Sequence, residues 1–210
     1  MRLDRLTPSQ LVVTRTPLDG VLLIDPPVFP DERGFFLVTW NQQSYADAGI
    51  LQTFVQDAHS GSHRGVLRGL HYQDMTAPLC KLVRCTAGRV FDVAVDLRVG
   101  SPTFGRWFAT ELSADNRRQM FVPVGFAHGY QALSDSAEVE YKQTGFYAPP
   151  AEGVLTWNDP AVGVDWPIAP PIVSDRDARG VLLDEHRRAP VFTYSRPDAG
   201  PLHREEQPSR

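Results

Sequence analysis

The chain has 210 residues, of which 42% are hydrophobic and 22% charged, and its formal net charge at pH 7 is −4. A chain of this size can bury a full core, and it lacks the basic excess typical of nucleic-acid-binding proteins. No apolar run approaches the roughly 18 residues of a membrane helix, and the N-terminus has no signal-peptide pattern. We expect a cytoplasmic protein that binds neither nucleic acid nor membrane. Residues 1–194 should form one domain, and the polar segment 195–210 a disordered tail.

Short strands separated by turns dominate the pattern in chain order. A helix is predicted near 41–48, where Asn41 can cap its start and Gly49 can end it. A second short helix is predicted around 179–188, with Leu182 and Leu183 facing inward. Strands are predicted at 21–25, 34–40, 81–86, 89–98, 106–113, 119–124 and 137–144.

The strand predicted at 89–98 has two distinct faces. Phe91, Val93, Val95 and Leu97 alternate along one face, and the residues between them, which include two aspartates, lie on the other. Strands recur about every 8–12 residues without long helices between them, which indicates an all-β sandwich or barrel of antiparallel sheets.

The segment RGVLRGLHYQ (64–73) is the densest group of polar side chains. Arg68 and His71 would point to opposite faces of a regular strand, but a bulge at Gly69 could turn both toward one cavity. The alternative is a surface arginine beside a buried, hydrogen-bonded histidine.

A second segment, VPVGFAHGY (122–130), matches half of a cupin metal signature through His128. The other half requires a His-x-His pair, and His71 is followed by Tyr72 and Gln73 instead. A catalytic metal needs three or more converging ligands, so no metal site is predicted.

Two further segments carry groups that can move protons. Tyr141 and Tyr147 in EYKQTGFY (140–147) are phenols that can donate a proton, or are core residues of a strand. Asp175 and Asp177 in IVSDRD (172–177) can orient a histidine or cap the helix that follows.

Taken together, these segments resemble the dTDP-4-dehydrorhamnose 3,5-epimerase family over about residues 18–185. The resemblance includes DERGFF (31–36), FVQDAHS (54–60) and WNDP (157–160), in order and at matching spacing. It implies a cupin-type jelly roll of two antiparallel sheets with a few short helices. It also implies a homodimer, which we expect to pair through residues 18–40, a dTDP-linked 4-keto-6-deoxyhexose as substrate, and no cofactor.

The resemblance assigns four catalytic residues. His71 is the base, Asp177 holds its imidazole, Lys81 stabilises the enolate oxygen, and Tyr141 returns a proton to the opposite face of the sugar ring. The positions that match the family's substrate contacts are Arg33, Gln56, Arg68, Lys81, His128, Tyr147, Glu152 and Arg176.

Two positions depart from the family pattern. Val38 stands where a glutamate is usual and Ala58 where an asparagine is usual, so both lose a hydrogen-bonding group. The prediction is a 3,5-epimerase of deoxysugar biosynthesis, for rhamnose or a rarer sugar. A 3-only epimerase, a sugar-nucleotide 3,4-ketoisomerase and a non-catalytic sugar-nucleotide-binding cupin stay open as alternatives.

Overall fold

Two antiparallel sheets contain most of the strands in the computed structural model, which describes residues 11–195. The strands are, in chain order, β1 (Val12–Arg15), β2 (Leu22–Asp25), β3 (Val28–Asp31), β4 (Gly34–Leu37), β5 (Gln56–His63), β6 (Leu67–Gln73), β7 (Lys81–Ala87), β8 (Arg89–Asp96), β9 (Arg98–Val99), β10 (Trp107–Ser113), β11 (Gln119–Val122), β12 (Phe126–Ala132), β13 (Ser136–Gln143), β14 (Glu152–Val154) and β15 (Phe192–Thr193). The α-helices are α1 (Gln42–Asp47) and α2 (Leu183–Arg188). The predicted all-β fold of two antiparallel sheets with a few short helices is confirmed.

The larger sheet has the strand order β1-β2-β11-β7-β13-β5, and the smaller sheet has the order β10-β8-β12-β6-β14. Strands β3 and β4 form a separate hairpin, and β9 pairs with β15 in parallel. None of the helices in residues 11–195 has the length and hydropathy to cross a bilayer. The single domain over 1–194 stays a prediction, and the tail predicted over 195–210 falls, except for Ser195, outside the described residues.

The core lies between the two sheets. Val83 and Val139 of the larger sheet pack in one buried cluster with Val90, Ala94 and Phe126 of the smaller sheet. Because valine and phenylalanine fit a pleated surface and lose their water contact there, this cluster supplies the main hydrophobic stabilisation of the fold.

The smaller sheet is buried on both faces. The outer face of β8 carries Val93, Val95 and Leu97, which pack with Leu183 of α2 and Phe192 of β15 in a second cluster. The alternation predicted for 89–98 is therefore confirmed. It leaves two aspartates of β8 on the other face, completely buried, where each needs a hydrogen-bonding partner.

The two helices begin and end where the local sequence allows. The Asn41 side chain accepts a hydrogen bond from the Ser44 amide at 3.0 Å, and Gly49, with φ +92°, follows the last turn of α1. Leu183 of α2 is buried, but Leu182 is 42% exposed, so its predicted inward orientation is wrong. Leu182 precedes the helix with an extended backbone and does not share the inward face of α2.

A one-residue bulge in β6 sets the direction of its polar side chains. His128 of β12 lies opposite His71 and Tyr130 opposite Arg68, so two steps on β12 match three steps on β6. The bulge changes the alternation, and Arg68 and His71 both face the cavity between the sheets. This confirms the prediction of a bulge near Gly69.

The bulge depends on two glycines that touch across β6 and β12. A methyl group added at Gly129 would lie 2.6 Å from the Arg68 carbonyl oxygen and 3.1 Å from the Gly69 Cα. These neighbours are backbone atoms, which cannot move away by a change of rotamer as side-chain atoms can.

We expect Gly129→Ala to lower the free energy of unfolding by about 1–3 kcal/mol, because the added methyl group forces the two strands apart. The matched control is Gly61→Ala in β5, where an added methyl group has nothing within 4 Å and φ is not positive. Urea denaturation of both variants measures the difference. Equal stability of the two variants would contradict the close approach.

Candidate active site

A cleft of about 230 Å³ opens between the two sheets at the bulge. The residues that line it are Ala58, Ser60, Arg68, His71, Tyr72, Gln73, Leu79, Lys81, His128, Tyr130, Tyr141, Gln143, Tyr147 and Glu152. A concave site lined by aromatic, aliphatic and a few polar side chains is typical of small-molecule binding. Because the lining side chains come from strands of both sheets, a ligand in the cleft has protein on both sides.

His71 and Asp177 form a hydrogen-bonded pair at the base of the cleft. His71 Nε2 lies 2.8 Å from Asp177 Oδ1, and the Gly69 amide donates to Asp177 Oδ2 at 3.2 Å. Burial alone would raise the pKa of Asp177, but the contacts with His71, Gly69 and Arg176 hold it below the usual range. An ionised Asp177 accepts the Nε2 proton and leaves Nδ1 as the basic nitrogen of the His71 ring.

Arg176 joins this pair to the rim of the cleft. Its Nη1 donates to Glu152 Oε2 at 2.7 Å, and its Nε donates to Asp177 Oδ1 at 3.4 Å. The Tyr147 hydroxyl donates to the same Glu152 oxygen at 2.8 Å. One arginine therefore fixes the relative positions of the His71–Asp177 pair and the Tyr147–Glu152 pair.

Lys81 supplies an amine inside the cleft from the first residue of β7, between Val122 and Gln143 of the neighbouring strands. Burial lowers the pKa of the Lys81 amine to about 8, although the carboxylates of Asp92 and Glu152 favour its charged form. At neutral pH the amine is mostly charged, so it can stabilise a negative oxygen that forms in the cleft.

His128 is paired with a buried aspartate of β8. Its Nε2 lies 3.0 Å from Asp92 Oδ1, and both side chains are almost completely buried. Burial lowers the pKa of His128, and Asp92 opposes this effect only in part. A neutral His128 donates its Nε2 proton to Asp92, which gives one of the two buried aspartates of β8 a hydrogen-bonding partner.

Tyr141 lies in β13 of the larger sheet, whereas His71 lies in β6 of the smaller one. Both line the cleft, so they approach a ligand from different sides. Burial and the neighbouring Tyr130 raise the pKa of Tyr141 well above its usual value, so the phenol stays protonated. The arrangement can therefore present an imidazole from one sheet and a protonated phenol from the other to the same ligand.

The structure brings most of the predicted site residues together. Gln56 lies at the rim, where its amide donates to Gln143 at 2.7 Å and its oxygen accepts from the Tyr147 amide. Arg33 is the exception, because its β3–β4 hairpin does not line the cleft and its side chain is 75% exposed beside Asp31. Asp175 takes no part in the pair with His71.

Sequence reasoning assigned no role to several lining residues. Ser60, Ser62 and Tyr130 contribute hydroxyl groups in or behind the cleft wall, and Asp92 holds His128. The serines occupy alternate positions of β5, a period-two signal that the sequence contained. In the described part of the chain, no three His, Cys, Asp or Glu side chains converge as metal ligands would.

Known proteins with similar sequences and structures share one family description. The profile of dTDP-4-dehydrorhamnose 3,5-epimerases matches residues 15–185. The enzyme of that name from Pseudomonas aeruginosa is 54% identical over 169 residues, covering 80% of this chain and 93% of its own. A dTDP-4-dehydrorhamnose 3-epimerase from Streptomyces niveus is 41% identical over 180 residues, covering 85% of this chain and 87% of its own.

A solved structure has the same fold. The Legionella pneumophila dTDP-6-deoxy-D-glucose-3,5-epimerase, in complex with dTDP-4-keto-L-rhamnose, superposes with a TM-score of 0.85 at 42% identity. The alignment covers 89% of this chain and 100% of that one. The all-β architecture described above is therefore the cupin jelly roll of these proteins.

The titration of the Lys81 amine tests the electrostatics of the cleft directly. The chain has only two lysines, Lys81 and Lys142, so [¹³Cε]lysine labelling gives two side-chain signals. We expect the Lys81 signal to titrate at about pH 8, with the charge lost as pH rises, because burial penalises the ammonium form. NMR of a Lys142→Arg variant, which retains only the Lys81 signal, assigns the resonance. A signal that titrates at the ordinary lysine value, about 10.4, would rule out the buried environment.

Proposed function

The chain belongs to the dTDP-4-dehydrorhamnose 3,5-epimerase family, and we propose that it inverts C3 and C5 of a dTDP-linked 4-keto-6-deoxyhexose. It is an isomerase of deoxysugar biosynthesis. The observation that carries the proposal is the geometry of the cleft, where a histidine–aspartate pair from one side and a protonated tyrosine from the other approach the same space.

The reaction begins with removal of a proton next to the C4 ketone. That proton is acidic because the electron pair it leaves can move onto the ketone oxygen as an enolate. His71 takes the proton, and Asp177 stabilises the imidazolium that results, since its carboxylate accepts the other ring N–H at 2.8 Å.

Lys81 stabilises the enolate. A positive charge held beside the developing oxyanion in a site shielded from water can lower the barrier by about 3–4 kcal/mol. Although burial lowers the pKa of the amine to about 8, that value still leaves the amine mostly charged at neutral pH. Activity through Lys81 should therefore decline as pH rises above this value.

Tyr141 then donates its hydroxyl proton to the opposite face of the same carbon, which inverts the configuration. Its raised pKa keeps the phenol protonated until the enolate is present to receive the proton. The ring is presented to the same pair of groups for each of the two carbons.

The nucleotide part of the substrate needs polar contacts outside the reacting centre. Arg68 suits the diphosphate because a guanidinium can bind two oxygens at once, and its Nε and Nη2 are already anchored on Ser62 and Gly61. We assign the remaining contacts to the rim and floor of the cleft, by Gln56, His128, Tyr147, Glu152 and Arg176.

A 3-only epimerase is the second candidate. Ala58, which replaces the asparagine usual in the family, lies in the cleft wall opposite Tyr141 on β13. A ligand group that loses a neutral hydrogen bond there is held less firmly by about 0.5–1.5 kcal/mol. The ring must be presented a second time for inversion at C5, so weaker holding affects that step first. The relatives described above include one 3-epimerase. Neither the 3,4-ketoisomerase nor the non-catalytic binder finds support among them.

We also propose a homodimer that pairs through residues 18–40. The β3–β4 hairpin exposes Phe35 by 55% and Phe36 by 42%, and it belongs to neither large sheet. Arg33, at the tip of this hairpin, matches a substrate contact of the family yet lies outside its own cleft. In a dimer, Arg33 of one subunit can reach the nucleotide in the cleft of the other.

The reaction is tested by NMR with dTDP-4-keto-6-deoxyglucose in heavy water. We expect the proton signals at C3 and C5 to disappear and the inverted product to form, at a rate unchanged by excess EDTA. His71→Asn should lose at least about 10²-fold in rate, because the base is removed. The matched control is His59→Asn, because the side chain of His59 is 53% exposed and pairs with Glu138.

The pattern of labelling decides between the candidates. Deuterium at C3 but never at C5 assigns the 3-only reaction. No deuterium at either carbon in the folded wild-type protein overturns the proposed function.

Light scattering tests the dimer. We expect a mass near twice 23.4 kDa at micromolar concentration. Phe35→Asp should shift the mass toward the monomer and reduce turnover, because it places a charge in the apolar contact. Leu182→Asp, an equally drastic change at the exposed start of α2, should alter neither. A wild-type mass near 23.4 kDa would contradict the dimer.

A further inference from the structure

A row of hydroxyl groups runs behind Tyr141 and ends at Arg68. Tyr141 Oη lies 3.2 Å from Ser60 Oγ, and Ser60 Oγ lies 3.0 Å from Tyr130 Oη. Tyr130 Oη lies 2.9 Å from Ser62 Oγ, which accepts from Arg68 Nε at 2.9 Å. These groups come from β5, β6, β12 and β13, so the row links both sheets.

Arg68 gives this row a direction. A guanidinium only donates hydrogen bonds, so Ser62 Oγ must accept from it. Ser62 is buried, and in the described part of the chain the hydroxyl of Tyr130 is the acceptor within reach of its own proton. Ser62 therefore donates to Tyr130, and Tyr130 must donate onward to Ser60.

Ser60 has a choice between two acceptors. The Tyr141 hydroxyl lies at 3.2 Å and the Val139 carbonyl at 3.5 Å, the limit of a hydrogen bond. The shorter contact takes the Ser60 proton. Tyr141 then accepts from Ser60, and its own proton is free to point into the cleft.

We propose that Ser60, Tyr130 and Ser62 are positioning residues that form a one-way hydrogen-bond chain, polarised by Arg68, which aims the Tyr141 proton at the substrate. This inference rests on the proposed function and explains why the acid of that reaction is always presented in the productive orientation.

The hydrogen-bond chain also stabilises the phenolate that the proton transfer leaves on Tyr141. When Tyr141 donates, its O–H bond breaks, the electron pair of the enolate forms the new C–H bond, and a phenolate remains. The Ser60 hydroxyl already points at that phenolate oxygen and donates to it without reorientation. The imidazolium of His71 and the phenolate return to their starting forms by exchange with water.

Arg68 connects the chain to the substrate itself. Its Nε serves Ser62 and its Nη2 serves the Gly61 carbonyl, and its other N–H groups remain for a phosphate. The residue that orients the acid is therefore also the residue assigned to the diphosphate.

Neutron diffraction on crystals of the deuterated, ligand-free protein tests the direction of the chain without any assay of activity. We expect the deuterium of Ser62 on the side of Tyr130, that of Tyr130 on the side of Ser60, and that of Ser60 on the side of Tyr141. A Tyr141 deuterium that points at Ser60 would overturn the proposal.

Kinetics in heavy water tests the consequence for the reaction. The Tyr130→Phe variant lacks the hydroxyl that links Ser62 to Ser60, so the hydrogen-bond chain is interrupted and Ser60 can accept from Tyr141. Inversion at C3 should slow about tenfold, the equivalent of one hydrogen bond. Proton removal by His71 continues, so the ratio of deuterium in recovered substrate to product formed should rise by a similar factor.

Tyr45→Phe is the matched control. Tyr45 is as deeply buried as Tyr130 and its hydroxyl contacts Gln119 and the Thr39 carbonyl, away from the cleft. It should cost stability but leave the exchange-to-product ratio unchanged. Ser62→Ala should reproduce the effect of Tyr130→Phe, and Ser62→Thr, which keeps a hydroxyl, should restore the ratio.

The two proposals fail in different ways. An unchanged ratio in folded Tyr130→Phe and Ser62→Ala refutes the positioning role, even where the wild-type enzyme is active. A wild-type protein that neither exchanges nor inverts refutes the proposed reaction, and the neutron map still decides the direction of the chain.

Discussion

The one-residue bulge in β6 is the constraint on which the cleft depends. In a regular strand, Arg68 and His71 would face opposite sides of the smaller sheet, and one of them would be turned into the outer core. The extra residue between them, packed against Gly129, turns both toward the cavity. The proposed base His71, its partner Asp177 and the guanidinium of Arg68 all take their positions from this irregularity.

The cleft also shows how the fold accommodates buried charge. Asp92 and Asp177 are nearly inaccessible to water. Asp92 is paired with the buried His128, and Asp177 is paired with both His71 and the guanidinium of Arg176. Lys81 shares the same interior. These groups oppose hydrophobic stabilisation, since desolvated charges cost free energy even when paired. Their cost is offset by the two clusters that bury both faces of the smaller sheet.

Much of this could be predicted from the sequence. Alternation in 89–98 gave the two faces of β8, Asn41 and Gly49 gave the limits of α1, and the glycine at 69 indicated the bulge. The gathering of His71, Lys81 and Tyr141 in one cleft followed only from the family resemblance. Residue spacing alone does not indicate which strands of a jelly roll become neighbours, because their pairing depends on contacts distant in sequence.

What could not be predicted depended on such long-range neighbours. In the sequence, Tyr130 and Ser62 are ordinary strand residues, and their contact appears only when β5 and β12 are brought together in the fold. The pairing of Asp92 with His128 likewise joins two strands, β8 and β12, that are distant in sequence. The inward orientation predicted for Leu182 was wrong because this residue precedes α2, where helical periodicity does not set the direction of a side chain. Arg33 matched a substrate contact of the family, yet it does not line the cleft of its own chain.

The position of β5 at the end of the larger sheet has a further consequence. Ser60, Ser62 and Ala58 lie on β5, which has a single neighbouring strand within residues 11–195, whereas His71 lies between β12 and β14. Side chains on an edge strand can be exchanged while a single ladder of contacts adjusts. The scaffold thus separates the half that we propose removes the proton, on an interior strand, from the half on an edge strand, where side chains that contact the sugar can change without loss of the fold.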